Sequence, residues 1–265
     1  MGRSLFSPIL ILQMISLIKD RVGWRILSKV LFISCLLTLS FLVGCSGSLL
    51  PIQRQNGPLP TVLDIIWIKG TFFNPTREPM GAPLLPPISL RAQILPFTNA
   101  SFKTYYKKAL QNGDTNLIMF NDTMKVKPRF LRLSILNKIE LTNHLNSNKY
   151  DDIRTYISQD KPYKIITQID LTLKEEELSR FARVESVHVR HKENGIVELE
   201  LNSEGTVKTL VMNNLEVFDY KWSNFCWGMD KFGKKTIMAL STGNQPCPNA
   251  TEIKPYKLEN KRDKF

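Results

Sequence analysis

The chain has 265 residues, 43% of them hydrophobic and 23% charged, and a formal net charge of +12. These are the values of a globular protein with one large domain or two small ones. They exclude a collagen, a disordered charged tail and a polytopic membrane protein, and four cysteines are too few for a disulfide-dense mini-protein.

The N-terminal segment is the most informative. Basic residues come first: Arg3, Lys19, Arg21, Arg25 and Lys29, opposed only by Asp20. Val30–Val43 follows as 14 residues without a charge, and Gly44, Cys45, Ser46, Gly47 and Ser48 come next. A basic flank, an apolar run and small residues at its end are the layout of a secretory signal. The run is shorter than the roughly 20 residues that cross a bilayer. Three readings fit this segment: an uncleaved anchor over Val30–Leu50, an ordinary cleaved signal, and a signal cut just before Cys45. All three leave the rest of the chain outside the cytoplasm, because the basic flank stays inside.

Leu42-Val43-Gly44-Cys45 resembles the lipobox of bacterial lipoproteins: an aliphatic residue, a tolerant position, a small residue and a cysteine. The resemblance covers residues of about 19 to 45 and does not extend to the domain behind them. It implies that the Cys45 thiol accepts a diacylglycerol, that residues 1–44 are removed, and that the protein is held at a membrane of the bacterial cell envelope. Ser46, where some lipoproteins carry Asp, resembles those passed on to an outer membrane. Removing residues 1–44 takes away five cations and one carboxylate, so 221 residues remain and the net charge falls from +12 to +8. No one-sided Lys/Arg stripe is left, so nucleic acid is not an expected partner. Cys35 leaves with the signal and Cys45 takes the lipid. Cys226 and Cys247 remain as an even pair in an oxidising compartment, and a disulfide is expected.

Residues 45–60 read as a lipidated N-terminus and tether, 61–250 as a single β-rich domain, and 251–265 as a basic tail. Nine of the fifteen prolines lie between Pro51 and Pro96. Within that stretch Val62–Lys69 reads as a strand and Asn74–Pro87 as an ordered, irregular loop. Ser89–Leu95 is a strand, and Ser101–Leu110 is a helix capped by Ser101. Asn116–Phe120 reads as a short strand, and the parity of Leu131, Leu133, Ile135, Ile139 and Leu141 makes Phe130–Leu141 a long one. Tyr150, Ile153 and Ile157 space a short helix. Tyr163–Leu173 alternates as a strand, and Thr172-Leu-Lys-Glu175 reads as a capping box opening a helix that presents Leu178, Phe181 and Ala182. From Val184 the pattern becomes hairpins, with a turn at Asn194-Gly195 and strands at Ile196–Leu201, Val207–Met212, Leu215–Trp222 and Thr236–Leu240. The class is therefore α+β and β-dominated: an antiparallel meander sheet with two or three short helices. A closed lipocalin-like barrel is the alternative.

Catalytic signatures are sparse. His188 and His191 stand three apart, which on a strand places them on opposite faces and prevents convergence on one ion. Asp151-Asp152 suits the first turn of a helix. No cofactor and no metal is called for. Phe218, Tyr220, Trp222 and Trp227 form the candidate binding surface, with Phe225 and Phe232 nearby, six aromatics within 15 residues. Such a cluster is either a platform for a glycan or protein partner, or a core corner beside the disulfide. The resulting expectation is a lipid-anchored, non-catalytic binding or assembly protein. The alternatives are an anchored hydrolase using two carboxylates, and a barrel carrier of an apolar ligand.

Overall fold

Residues 164–172 are buried along most of their length, on both faces. A strand so placed needs partners on both edges and cover on both sides. The computed structural model, which describes residues 60–258 except 71–74, 116, 160 and 249, supplies all of these. In chain order the strands are β1 Ile65–Gly70, β2 Pro75–Gly81, β3 Ile88–Pro96, β4 Arg129–Ile135, β5 Lys164–Thr172, β6 Ser186–His191, β7 Val197–Ser203, β8 Thr206–Val211, β9 Glu216–Met229 and β10 Lys235–Thr242. The helices are α1 Asn99–Asn112, α2 Lys138–Asn146, α3 Asp151–Ile157 and α4 Glu175–Phe181.

Every strand pair is antiparallel, in the order β10-β9-β5-β4-β3-β6-β7-β8. β9 occupies one edge of β5 over its full length. The other edge is shared: β4 pairs with residues 168–171, and β1 with Lys164 and Ile165. β1 in turn carries β2 as a hairpin. β8 and β10 end the sheet and do not pair with each other, so it is open and the barrel alternative falls. The meander holds for β6, β7 and β8, after which the chain crosses to the far side of the sheet, where β9 joins β5.

Alternation along β4 and β5 divides the interior in two. Leu131, Leu133, Ile169 and Leu171 face the main core, which α2, α3 and α4 cover with Leu141, Leu145, Ile157, Leu178 and Phe181. Phe130 points the other way, into a smaller aromatic core beneath α1 with Phe97, Tyr105, Ala109 and Phe218. Phe97 is its hub: fully buried, with its ring centroid 5.0 Å from Phe130, 5.6 Å from Tyr105 and 5.6 Å from Phe218. On the same side Arg132 grips Asp170 bidentately at 2.8 and 2.6 Å, and Asp170 is 1% exposed.

Several predicted boundaries move, for local reasons. β2 lies within the stretch read as an irregular loop. It pairs only with β1, and an edge strand tolerates Pro75 and Pro79. The long strand at 130–141 breaks at Asn137, whose side chain accepts from the N–H groups of Ile139 and Glu140 at 3.1 Å each and starts α2. Residues 117–120 form no strand. Leu117, Ile118 and Phe120 pack on the aromatic core, and the Ile118 N–H donates to Tyr105 Oη. α1 is capped by Thr98, with Ser101 as its reciprocal partner. Thr172 ends β5 and donates to Glu216, while α4 starts after Lys174.

The predicted tail also divides. Glu252 and Trp227 exchange backbone hydrogen bonds, and Leu258 is buried in the main core, so residues 251–258 belong to the domain. The Cys226–Cys247 disulfide, with Cα atoms 5.5 Å apart, ties this C-terminal segment to β9. Closing its loop contributes about 3 kcal/mol in the chain-entropy model. Residues 259–265, the proposed signal and the tether up to residue 59 lie outside the described residues.

Phe97→Ala would empty the centre of the smaller core, and large aromatic truncations of this kind cost about 3–5 kcal/mol. Urea unfolding followed by tryptophan fluorescence is expected to show that loss. A change below about 1 kcal/mol would mean that α1 does not depend on this cluster.

Candidate functional site

The four aromatic residues singled out from the sequence do not share one surface. β9 is irregular opposite Asp170 and Leu171: Val217 pairs with Leu171 and Asp219 with Asp170, leaving Phe218 as the extra residue. A bulge of this kind breaks the alternation. Phe218, 5% exposed, lies in the α1-side core, whereas Tyr220 and Trp222 lean on the main core. Trp227 is 1% exposed and packs beside Phe225 in the main core. Only Tyr220 and Trp222 remain half-exposed, with ring centroids 6.3 Å apart.

These two rings carry cations. The Arg77 guanidinium of β2 lies 4.7 Å from the Tyr220 centroid and 5.9 Å from that of Trp222. Lys164 Nζ, from the start of β5, lies 5.0 Å from the Trp222 centroid. Burial lowers the pKa of Lys164. Burial also lowers that of Lys108 on α1, and repulsion from Arg77 adds to the effect, so Lys108 lies within electrostatic reach of Arg77. None of the three cations has a salt bridge among the described residues. The indole N–H of Trp222 is buried without an acceptor, so packing and the cations on its face hold this ring. A guanidinium flattened on an aromatic face keeps its N–H edges for a carboxylate or phosphate, which it meets bidentately.

Asp219 is the carboxylate whose charge acts on Tyr220. Burial pushes its pKa up, the Tyr220 N–H that its Oδ1 accepts at 2.8 Å opposes this, and the neighbouring Asp170 charge adds to the rise. Tyr220 is also raised, chiefly by burial, with Arg77 opposing.

Two adjoining recesses lie elsewhere. A recess of about 420 Å³ is lined by residues 84–87, His144, Tyr150, Arg190 and His191, and it adjoins a second of about 490 Å³ running onto residues 192–194. Several of its polar groups are already engaged. His191 Nε2–H donates to the Val62 carbonyl at 2.8 Å, Arg190 pairs with Glu200 at 2.9 Å, and Lys192 pairs with Glu198 at 2.6 Å. Burial lowers the His191 pKa and keeps the ring neutral. His188 and His191 fall on opposite faces of β6, as their spacing predicts. Asp64 and Asp219 are the two carboxylates raised by burial, and neither lines this recess.

Arg77, Lys108 and Lys164 were not marked by the sequence. Each comes from a different element, and Arg77 sits in the proline-rich stretch that hides β2. No family model, no curated protein and no solved structure matches the chain.

The raised pKa of Asp219 has a consequence for stability. The folded state holds this proton more tightly than the unfolded chain does, so stability is lost as pH rises from the ordinary carboxylate range through the folded value. Asp219→Asn keeps a side-chain oxygen for the Tyr220 N–H and removes that cost. The variant is expected to melt above the wild type at pH 7, with the gap closing toward acid pH. An equal or lower melting temperature at pH 7 would contradict the assignment.

Proposed function

We propose that this chain is a lipid-anchored, non-catalytic binding protein of the bacterial cell envelope, tethered through Cys45, with a lean toward the outer membrane. We further propose that its Tyr220–Trp222 platform takes the anionic group of an acidic glycan. One observation carries the binding reading: Arg77 and Lys164 lie over two half-exposed rings, and among the described residues neither has an ion-pair partner. Half-burying Lys164 without a counter-charge is costly, and the exposed Arg77 adds a second positive charge beside it. A carboxylate or phosphate on an acidic glycan supplies that counter-charge, met by the N–H edges that Arg77 keeps free of the ring. The anchor reading is supported by the basic flank, the apolar run and Leu42-Val43-Gly44-Cys45. It accords with a disulfide-bonded domain, since disulfides persist outside the cytoplasm.

Mass spectrometry of the N-terminal peptide from membranes tests the anchor. A diacylglycerol-modified Cys45 as first residue is expected in the wild type and absent in Cys45→Ala. An unmodified peptide reading through Cys45 would overturn the lipoprotein reading.

Calorimetric titration with a uronic-acid polymer tests the platform. A hydrogen bond to a charged group contributes about 1.5–3 kcal/mol, so Arg77→Ala should weaken binding roughly ten- to a hundredfold. Affinity should also fall as salt is raised. Equal binding by the variant, or equal binding of a neutral polymer, would sink the glycan reading.

A further inference from the structure

Helix α1 has two contrasting stripes. Phe102, Tyr105 and Ala109 face the smaller core, with Tyr105 and Ala109 fully enclosed. At the same helical spacing on the other side stand Lys103, Tyr106, Lys107 and Leu110, all exposed. Tyr106 is 43% and Leu110 54% exposed. The helix carries three lysines and no carboxylate. Lys103 and Lys107 are four apart, a like-charge pair that weakens an isolated helix, and no acidic residue complements the dipole in its first turn. Local stability therefore does not account for this outer stripe.

The segment after the helix extends the same surface. Phe120 stacks on Phe102 at 4.8 Å, and Phe102 lies 6.0 Å from Tyr106, so a row of rings joins helix and loop. Around that row Met119 is 86% exposed and Val126 83%. Lys125 and Lys127 flank Val126, and Lys127 lies 5.9 Å from the Phe120 ring centroid. Residues 99–128 hold five lysines against Asp114 and Asp122, and Asp122 is already bound by Lys127 and Asn99. A single exposed apolar residue means little. A mixed surface of Leu, Met, Val and Tyr ringed by lysines is the composition of an interfacial membrane contact, in which apolar tips enter the headgroup boundary and lysine stems reach back to phosphates.

From these observations we infer that α1 and the 117–127 segment dock on the surface of an anionic lipid bilayer. The inference goes beyond the glycan platform and rests on the anchor reading only for proximity. The chain from Cys45 to Pro60 spans about 50 Å at full extension, which keeps the domain within reach of the membrane. Charge complementarity selects an anionic surface, each lysine near it contributing about fivefold in binding. Docking would fix the domain's orientation, with α1 beneath it. Phe232, 81% exposed on the β9–β10 turn, would stand clear at the far end of β9 from Phe218.

The test is photo-crosslinking of the full chain in vesicles that carry a headgroup-diazirine phospholipid, with adducts mapped by mass spectrometry. In vesicles containing phosphatidylglycerol, adducts are expected on Leu110, Met119 and Val126. They should fall at least about fivefold in pure phosphatidylcholine, and to a similar degree in Met119→Asp/Val126→Asp, whose exposed positions leave the fold intact. Diacylglycerol on Cys45 of the protein isolated from membranes, read in the same digests, reports the anchor separately. If Cys45 carries it while the α1 surface stays unlabelled, the docking inference is overturned and the anchor stands. If the α1 surface is labelled and Cys45 is unmodified, docking stands and the anchor fails. Stronger labelling of Phe232, or labelling that ignores lipid charge, also overturns the inference.

Discussion

A strand enclosed on both faces has no recourse to water, so each of its backbone groups needs a protein partner. β5 meets this condition with β9 along one edge and with β4 and β1 dividing the other. The division has a consequence at the surface. β1 is bound to β5 only through Ile65 and Ile66, and the rest of the β1–β2 hairpin is free of that ladder. The hairpin can therefore lean across the sheet. Arg77 of β2 reaches rings on β9, although β1 and β5 separate the two strands in the pairing order. The cation platform is thus a by-product of how the central strand satisfies its edges.

The polar interior obeys the same economy of partners. Arg132 and Asp170 are direct cross-strand neighbours on β4 and β5, so the β-ladder itself aligns the fork with the carboxylate. Removing one member of such a pair costs several kcal/mol, because the other is left buried and charged. A one-residue slip of β4 against β5 would separate the pair and turn Phe130 into the wrong core, so the pair and the aromatic cluster enforce one register. Asp219 stands opposite Asp170 on the next strand without a guanidinium of its own. Burial first, and then the Asp170 charge, raise its pKa.

Much of this architecture is legible in the sequence where the pattern is local. The alternation from Tyr163 to Leu173 marks β5, and Asn194-Gly195 marks the β6–β7 turn, where Gly195 has φ +75°. Parity also separates His188 from His191. The pattern fails where a long-range partner overrides it. Prolines at 75 and 79 disguise β2, because nothing in the sequence says that this strand lies at an edge. Ile139 and Leu141 continue the parity of β4 only by accident, since Asn137 has already started a helix. Phe218, Tyr220 and Trp222 read as one face because a bulge cannot be seen without the strand opposite. The surface that survives, Tyr220 with Trp222, was visible only as rings. The cations that give it chemistry come from β2, β5 and α1, which no sequence window contains together.

The distribution of unpaired charge separates the two concave or aromatic regions functionally. Around His191 the chain has supplied its own partners: a carbonyl for the imidazole, Glu200 for Arg190 and Glu198 for Lys192. Around Tyr220 and Trp222 it has supplied cations and left them without carboxylates, even though Asp219 is next in sequence. Burial disfavours the charge of Asp219, and it disfavours those of Lys108 and Lys164 as well, so no pair forms here to relieve either sign. A folded chain that can place carboxylates opposite Lys127, Arg129, Arg132, Arg154 and Arg190 is able to neutralise cations when stability is the only demand. The anionic ligand proposed for this pair of rings would supply the counter-charge that, among the described residues, Arg77 and Lys164 lack.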